Sequence, residues 1–386
     1  MKKLPILLLI LLVLLTFSQV AYASESEDKL GEEINGQLGA LDSSEFDKFI
    51  NEIGDPYGQG GLKNYIDKIV SGESAFDLTM LINLLCNGLL DELLSSVPLC
   101  ATIILICVLS SSLTRFSSKF AQNSTHRIIG LVCTATVLVL MVTKTLNYSN
   151  EVLNTLKSIQ NFSNVIFPIL VTLLTVIGGG GTAGVFSPYI AILSSLLLNG
   201  IEAIIFPIFF ACLALSVVGN LTDTVRLDKL RGFFSSLGKW ILGLGFGLFT
   251  TILSGQAMVT SVIDGVSVKA TKFALSSYVP ILGGYLSEGF DFVMAGSVLI
   301  KNAVGLTGIM ILAVIILIPL IKLVVFTLAL KLTSGVVETL GDSNTAKMIS
   351  GVSSSVNILT SILLGIGFVF FFVLLLIVFT VNLGVV

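Results

Sequence analysis

Charged residues inside apolar stretches are the feature of this sequence that most readily suggests chemistry. The candidates are Glu202, Glu288, Asp291, Lys301 and Lys322. A charge at the depth of lipid hydrocarbon is costly, so such residues indicate either a path for ions or protons or a protein-lined, hydrated interior. Lys322 is the strongest functional candidate because it follows Pro319 within a long apolar run. From that position its side chain cannot easily reach the membrane surface.

The remaining charged candidates are weaker. Glu288 and Asp291 are three residues apart, so they share one face of a helix and could pair with Lys301. A structural salt bridge is at least as compatible with this spacing as a path for ions or protons. Glu202 stands at the start of its apolar segment, where a role as a helix cap or a side chain extended to the membrane surface is favoured.

Two sets of glycines suggest special backbone structure. The first set is the run Gly178, Gly179, Gly180 and Gly181. Because this run interrupts an apolar segment, it should be packed inside protein or line a cavity, where its backbone groups find partners. It is not a phosphate-binding loop, since no Lys-Ser or Lys-Thr pair follows it. The second set, Gly243 and Gly247, has the small-xxx-small spacing of closely packed helices.

The sequence lacks the residues that enzymatic catalysis needs. The single histidine, His126, lies in a polar connection beside Arg127, where a solvated surface role is favoured. One histidine offers a serine or cysteine triad only one candidate base. The five cysteines lie in or beside apolar stretches and form no disulfide or metal-binding spacing. We therefore predict a protein without catalytic residues, metal or cofactor.

Composition indicates which environment must position these residues. The chain has 386 residues, of which 54% are hydrophobic and 12% charged, and its mean hydropathy is +0.99. Soluble domains are nearer one quarter charged, so an ordinary core cannot absorb this much apolar surface. The predicted fold class is all-α, a polytopic helical membrane protein. The same composition excludes a nucleic-acid binder, a collagenous chain and a disordered chain.

The N-terminal quarter has a different character from the rest. Residues 1–23 combine two lysines, an apolar run and an Ala-x-Ala pattern, which predicts a cleaved signal peptide, although an uncleaved anchor is an alternative. Residues 24–92 carry 15 acidic residues against four lysines. Residues 24–96 therefore form a predicted acidic extracytoplasmic head, with amphipathic helices starting near Phe46 and Leu62. A third helix, over residues 76–94, is predicted to lie at the membrane interface.

Nine apolar segments follow the head and predict seven to nine crossings. They cover residues 97–113, 128–146, 165–183, 186–200, 201–219, 240–262, 279–300, 303–331 and 357–383. The segments within residues 97–146 are the first two predicted transmembrane helices. The connections 114–127 and 220–239 are rich in lysine and arginine, so both should be cytoplasmic.

Two pairs of prolines suggest an internal repeat. Pro168 and Pro207 are each followed, 112 residues later, by a proline in a similar apolar context, Pro280 and Pro319. Residues 165–262 and 277–383 are therefore predicted to be two parallel copies of one membrane unit. Two coinciding prolines in so apolar a chain could also arise by chance.

Three stretches of the chain carry a family resemblance. Residues 264–305 read DGVSVKATKFALSSYVPILGGYLSEGFDFVMAGSVLIKNAVG, residues 167–188 read FPILVTLLTVIGGGGTAGVFSP and residues 239–256 read KWILGLGFGLFTTILSGQ. Together with the signal peptide, the acidic head and the polytopic body, these stretches resemble the stage III sporulation protein AE family of endospore-forming bacteria. One departure is Thr182, where a serine is expected after the glycines.

The resemblance implies a role rather than a reaction. It implies a non-enzymatic subunit of a secretion-like channel complex in the mother-cell membrane around the forespore, with its head in the intermembrane space. The implied partners are the lipid bilayer and other stage III sporulation membrane proteins, including a separate ATPase subunit and ring-forming subunits, without nucleic acid. We expect the two repeats to face each other around a cavity or gate lined by the glycine run and residues 280–301. Two alternatives remain open, an autonomous secondary transporter and a membrane scaffold for the other subunits.

Overall fold

The computed structural model describes residues 43–53, 55, 58, 60–70, 78–120, 123–192, 195, 198–221, 227–278 and 283–380. Every element of regular structure in these ranges is a helix, which confirms the all-α class. The predicted signal peptide and the head before Ser43 lie outside the described residues, as does Pro280.

Ten helices and one π-helical turn make up the described chain. They are α1 (Ser44–Ile53), α2 (Leu62–Val70), α3 (Leu78–Phe120), α4 (Asn123–Val176), α5 (Gly180–Ile192), α6 (Leu198–Gly200), the π-helical turn Ile201–Ile205, α7 (Phe206–Leu221), α8 (Asp228–Tyr278), α9 (Gly283–Thr339) and α10 (Ser343–Phe379).

The two short head helices form where the apolar periodicity predicts them. Asp47 joins them, because its carboxylate accepts hydrogen bonds from the Ser43 hydroxyl at 3.0 Å and from the Leu62 backbone N–H at 2.8 Å. The apolar side of α1 packs on α4, where the Phe49 and Phe162 rings are 5.6 Å apart. The apolar side of α2 packs on α9. The head is thus attached along the flank of the helical body.

The third predicted head helix is not a separate element. Residues 78–94 belong to α3, which continues through Pro98 to Phe120. Pro98 is tolerated inside the helix, and the Thr102 hydroxyl, one turn later, donates to the Pro98 carbonyl at 2.8 Å. The last part of the predicted head and the first predicted membrane segment therefore belong to one helix.

The part of the chain that the structure describes holds six stretches long and apolar enough to cross a membrane, fewer than the nine apolar segments from which seven to nine crossings were predicted. These are Leu85–Leu113, Ile128–Val176, Leu198–Gly219, Asp228–Ser277, Ser287–Thr339 and Ser343–Phe379. Two mergers reduce the nine segments to seven, because α4 carries residues 128–146 and continues into 165–176, and α9 joins most of 279–300 to 303–331. The intervening sequences contain neither glycine nor proline, so nothing in them ends a helix. The predicted segment 186–200 adds no stretch of its own among the described residues, because α5 ends at Ile192 after 13 residues.

The three longest helices are much longer than a bilayer is thick. Helices α4, α8 and α9 contain 54, 51 and 57 residues. At a rise of 1.5 Å per residue each is about 75 to 85 Å long, whereas the hydrocarbon core measures about 30 Å. Each of these helices therefore extends well beyond the hydrocarbon.

Helices α9 and α10 form the centre of the bundle and pack along most of their lengths. The turn between them contains Gly341 at φ +92°, and Asp342 caps α10 by accepting a hydrogen bond from the Thr345 N–H at 3.1 Å. Helices α3, α4, α7 and α8 surround this pair and contact one or both of its members.

The predicted repeat is not shown by this architecture. The described part of residues 165–262 comprises the end of α4, three shorter helices with the π-helical turn, and most of α8. Residues 283–380 contain only α9 and α10. The first stretch is broken at residues 177–179, whereas α9 continues unbroken through Pro319. The repeat therefore stays a prediction from the spacing of the prolines.

Candidate functional site

A cluster of charged and hydroxyl side chains joins α3, α4 and α9. Glu92 on α3 is only 6% exposed, and its carboxylate accepts hydrogen bonds from the Ser96 hydroxyl at 2.9 Å and from the Tyr148 hydroxyl of α4. The Lys144 ammonium lies 5.3 Å from the centre of the Tyr148 ring and donates to the Ser95 hydroxyl at 3.0 Å. Polar groups therefore fix α3 against α4 within an otherwise apolar contact.

The predicted site residue Lys322 belongs to the same cluster. Its ammonium forms an ion pair with Glu151 of α4 at 2.5 Å. The two side chains are 34% and 35% exposed, so the pair lies at the surface of the bundle rather than in its core. One helical turn away the Tyr148 and Phe326 rings are 4.6 Å apart, which holds α4 and α9 in this register. The ion pair and the ring contact together position the cluster.

The predicted glycine run forms the connection between α4 and α5. Gly178 has φ +80°, and a Cβ there would lie 2.7 Å from a Val268 methyl group, so both conformation and space require glycine. The Gly179 N–H donates to the Leu174 carbonyl at 2.8 Å, which ends α4 in the manner of a helix C-cap. The sharp reversal is thus built from residues without side chains.

Asp264 of α8 caps the helix that follows this reversal. Its two carboxylate oxygens accept hydrogen bonds from the backbone N–H groups of Gly181 and Thr182, both at 2.8 Å. Asp264 is 3% exposed, and the Thr182 and Thr260 hydroxyls are hydrogen-bonded at 3.2 Å beside it. A carboxylate at a helix N-terminus is stabilised by the free N–H groups and by the helix dipole. The glycine run is therefore a capped junction in which Gly179 is buried whereas Gly180 and Gly181 are exposed.

Lys301 also serves a helix terminus. It is fully buried, and its ammonium donates to the backbone carbonyls of Val378 at 3.0 Å and Thr380 at 2.8 Å. Both carbonyls lie at the C-terminal end of α10, where a cation is favoured by the helix dipole. Lys301 thus fastens the end of α10 to α9.

The predicted pairing of Lys301 with two carboxylates differs from what the structure has. Asp291 pairs with Lys272 of α8 at 2.5 Å, and both side chains are partly exposed. Glu288 is exposed, and so is Glu202, which lies in the π-helical turn. The glycine run contacts α8 while Lys301 contacts α10, and the cavity expected between these two segments stays a prediction.

Close packing of helices takes place at other glycines than the predicted ones. Gly243 and Gly247 have open space where a Cβ would point. The predicted packing role of these two glycines would therefore require contact with another molecule, and it stays a prediction. By contrast, Gly365 of α10 receives the Phe246 ring of α8, and a Cβ on Gly367 would lie 2.9 Å from Ile316. These two glycines let α8 and α9 approach α10.

The arrangement is suited to holding charges and helices in place. In the part of the chain that the structure describes, no group of three His, Cys, Asp or Glu side chains could hold a metal ion. The five cysteines are all free thiols. The polar cluster instead contains paired charges and hydroxyl groups that lie between the apolar helices α3, α4 and α9.

The residues of these sites that were not found as candidates from the sequence include Glu92, Tyr148, Glu151 and Asp264. Glu92 and Ser96 are spaced one helical turn apart in a leucine-rich stretch, which is a usable signal for a buried polar contact. For Asp264 the signal lies elsewhere, since α5 begins in glycines and has no side-chain cap of its own. A cap from another part of the chain was therefore required, but spacing could not indicate which residue provides it.

Known proteins relate to this chain along most of its length. The family model described as Stage III sporulation protein AE (spore_III_AE) matches residues 61–381. The Stage III sporulation protein AE of Bacillus subtilis (strain 168) is 25% identical over 368 residues, which cover 93% of this chain and 90% of the relative. No solved structure matches. From the extent of the family match, the chain belongs to the stage III sporulation protein AE family.

Proposed function

We propose that this chain is a non-enzymatic, multi-pass subunit of a channel complex that links the mother cell with the forespore. Membership of its family supports a role in sporulation, and its six long apolar helices indicate a multi-pass membrane protein. The observation that carries the proposal is the extent of the family match, because residues 61–381 include all six candidate spans. The likeness thus concerns the membrane body itself.

In this proposal the chain lies in the mother-cell membrane around the forespore, with its head in the intermembrane space. The basic connections 114–127 and 220–239 support this orientation, since lysine and arginine are enriched in cytoplasmic connections. Two candidate spans, Ile128–Val176 and Leu198–Gly219, separate these connections. Because an even number of crossings returns the chain to the same side, both connections are cytoplasmic, as their charge requires.

The partners in this proposal are a separate ATPase subunit and ring-forming subunits of the same complex. The charged residues that the structure describes near the apolar helices support a non-enzymatic role, because several of them hold helices together. Lys322 pairs with Glu151, Asp264 caps α5, and Lys301 caps α10. Energy for transport is accordingly assigned to the ATPase partner.

Co-purification from sporulating cells tests the proposal. A tagged chain should carry the ATPase and ring-forming subunits with it, and deletion of the chain should stop late gene expression in the forespore. A matched control is the same chain expressed in vegetative cells that lack those subunits. A chain that purifies alone from sporulating cells, or a deletion strain with normal late gene expression, would contradict the proposal.

An autonomous secondary transporter is the second candidate, and the partly exposed Glu151–Lys322 pair is the observation that favours it. Charged pairs at membrane level also occur in transporters, where they bind coupling ions or protons. Purified chain in liposomes distinguishes the two, since a transporter would move ions or solute without partners. A scaffold predicts instead that replacing Lys322 leaves sporulation unchanged at normal protein level.

A further inference from the structure

We propose that one polar face of α4 lines the hydrated passage of the channel, an inference that rests on the proposed function. This face, called the amide row below, consists of Asn147, Asn150, Asn154, Lys157, Asn161 and Asn164. All six side chains are exposed. Five of the six are uncharged amides, and the row lies between the two apolar stretches of α4, residues 128–146 and 165–176.

The spacing of the amide row makes it straight. Successive members are three or four residues apart, an average near 3.5, which keeps side chains on one side of a helix. The row covers 17 residue steps and is therefore about 26 Å long. The opposite side of α4, which includes Val152 and Ile159, is buried against the bundle. Helix α4 thus presents its apolar side to its own protein and its amides outward.

Lipid is not a suitable neighbour for this face. Transfer of an amide from water into hydrocarbon without a hydrogen-bond partner costs several kcal/mol of free energy, and five amides in one row multiply that cost. An ordinary water-facing helix surface is also better served by Lys, Glu or Gln, because Asn is a weaker helix former. The repeated choice of a short, uncharged amide indicates a hydrated surface on which charge is avoided.

The Glu151–Lys322 ion pair is an independent indication of water on this side of the bundle. Glu151 is next to Asn150 and three residues before Asn154, so the pair lies at the edge of the amide row. Both side chains are about one third exposed, and a partly exposed ion pair in lipid would be costly. Because the two charges compensate each other, they make this side of the bundle polar without giving it a net charge.

The chemistry of the row indicates what passes along it. Each amide both donates and accepts hydrogen bonds, so it can replace part of the hydration shell of cations, anions and neutral polar molecules alike. Lys157 is the single charged member of the row. We therefore assign to the passage water and small polar solutes with little selection by charge. Beyond the bilayer the passage still needs a wall, and α4 is long enough to supply one.

Size substitution in the whole complex tests this assignment. Asn154→Trp with Asn161→Trp fills the passage, whereas Asn154→Ala with Asn161→Ala leaves it open. Val139→Trp is the matched control, because Val139 is 59% exposed on the same helix two turns before the row. Two quantities are measured in sporulating cells, a reporter of late forespore gene expression and co-purification of the chain with its complex.

We expect the double tryptophan variant to lose the reporter signal while it accumulates and co-purifies normally, and the other two variants to retain both. A normal reporter signal from the double tryptophan variant would overturn the inference, because the row would then only face bulk water. Loss of co-purification would overturn it too, since the row would then be a contact between subunits. Failure of the unaltered chain to co-purify with any subunit is a different result, which refutes the proposed function itself.

Discussion

The Glu151–Lys322 ion pair provides the sharpest test of how the bundle is held together. Lys322→Met removes the ammonium but keeps most of the side-chain length, and it leaves Glu151 without this partner. Surface ion pairs contribute up to about 1 kcal/mol, whereas removing one member of a fully buried pair costs about 3 to 5 kcal/mol. This pair is one third exposed at a separation of 2.5 Å, so solvent screens it in part. We therefore expect a loss of about 2 kcal/mol of unfolding free energy for Lys322→Met.

A double-mutant cycle measures the pair itself. Glu151→Gln, Lys322→Met and the double variant are compared by thermal or denaturant unfolding in detergent, followed by helical circular dichroism. Because the double variant leaves no unpaired charge, it should be more stable than the sum of the two single losses predicts, by about 1 to 2 kcal/mol. Losses that simply add would refute the reasoning, since the two charges would then not interact in the folded protein.

Three further predictions concern helix ends and helix contacts. Asp264→Ala should cost about 1 to 2 kcal/mol because it removes the cap of α5, and hydrogen exchange at the Thr182 amide should rise, while unchanged protection there would count against the cap. Lys301→Met removes two hydrogen bonds to the C-terminal end of α10 and should lower the unfolding free energy by about 1 to 3 kcal/mol. Proteolysis of the C-terminus should become faster than in the unaltered chain, and an unchanged rate would argue against this role. Gly365→Leu should destabilise the bundle by several kcal/mol through overpacking. Gly243→Leu is the control, because a side chain at Gly243 points into open space, and this variant should unfold like the unaltered chain. The reverse order of stabilities would show that the wrong glycines were assigned to packing.

Much of the fold could be predicted from the sequence because the determining signals are local. The apolar fraction and the low charge indicate a helical membrane body, and the periodicity around Phe46 and Leu62 predicts both head helices. The family resemblance was carried by contiguous motifs in the same way. Helix continuity was harder to predict, because the polar residues 147–164 look like a connection although nothing in them ends a helix.

The candidate site could be predicted only in part. Lys322 and the glycine run stand out in the sequence because each is unusual in its surroundings. Their partners do not, because Glu151 and Asp264 are ordinary acidic residues at distances of 171 and 83 positions along the chain from the groups they bind. Pairing of this kind is decided by how helices lie side by side, and no local pattern encodes it.

The contact between α2 and α9 has a consequence for biosynthesis. Tyr65 of α2 is completely buried in a cluster with Met310 and Val314, which the ribosome adds about 250 codons later. At translation rates of about 5 to 20 residues per second, the aromatic side of α2 waits roughly 12 to 50 seconds for its binding surface. During that interval the aromatic side of α2 lacks the surface of α9 that covers it in the folded chain. A chain terminated before codon 300 lacks Met310 and Val314 and therefore cannot form this contact.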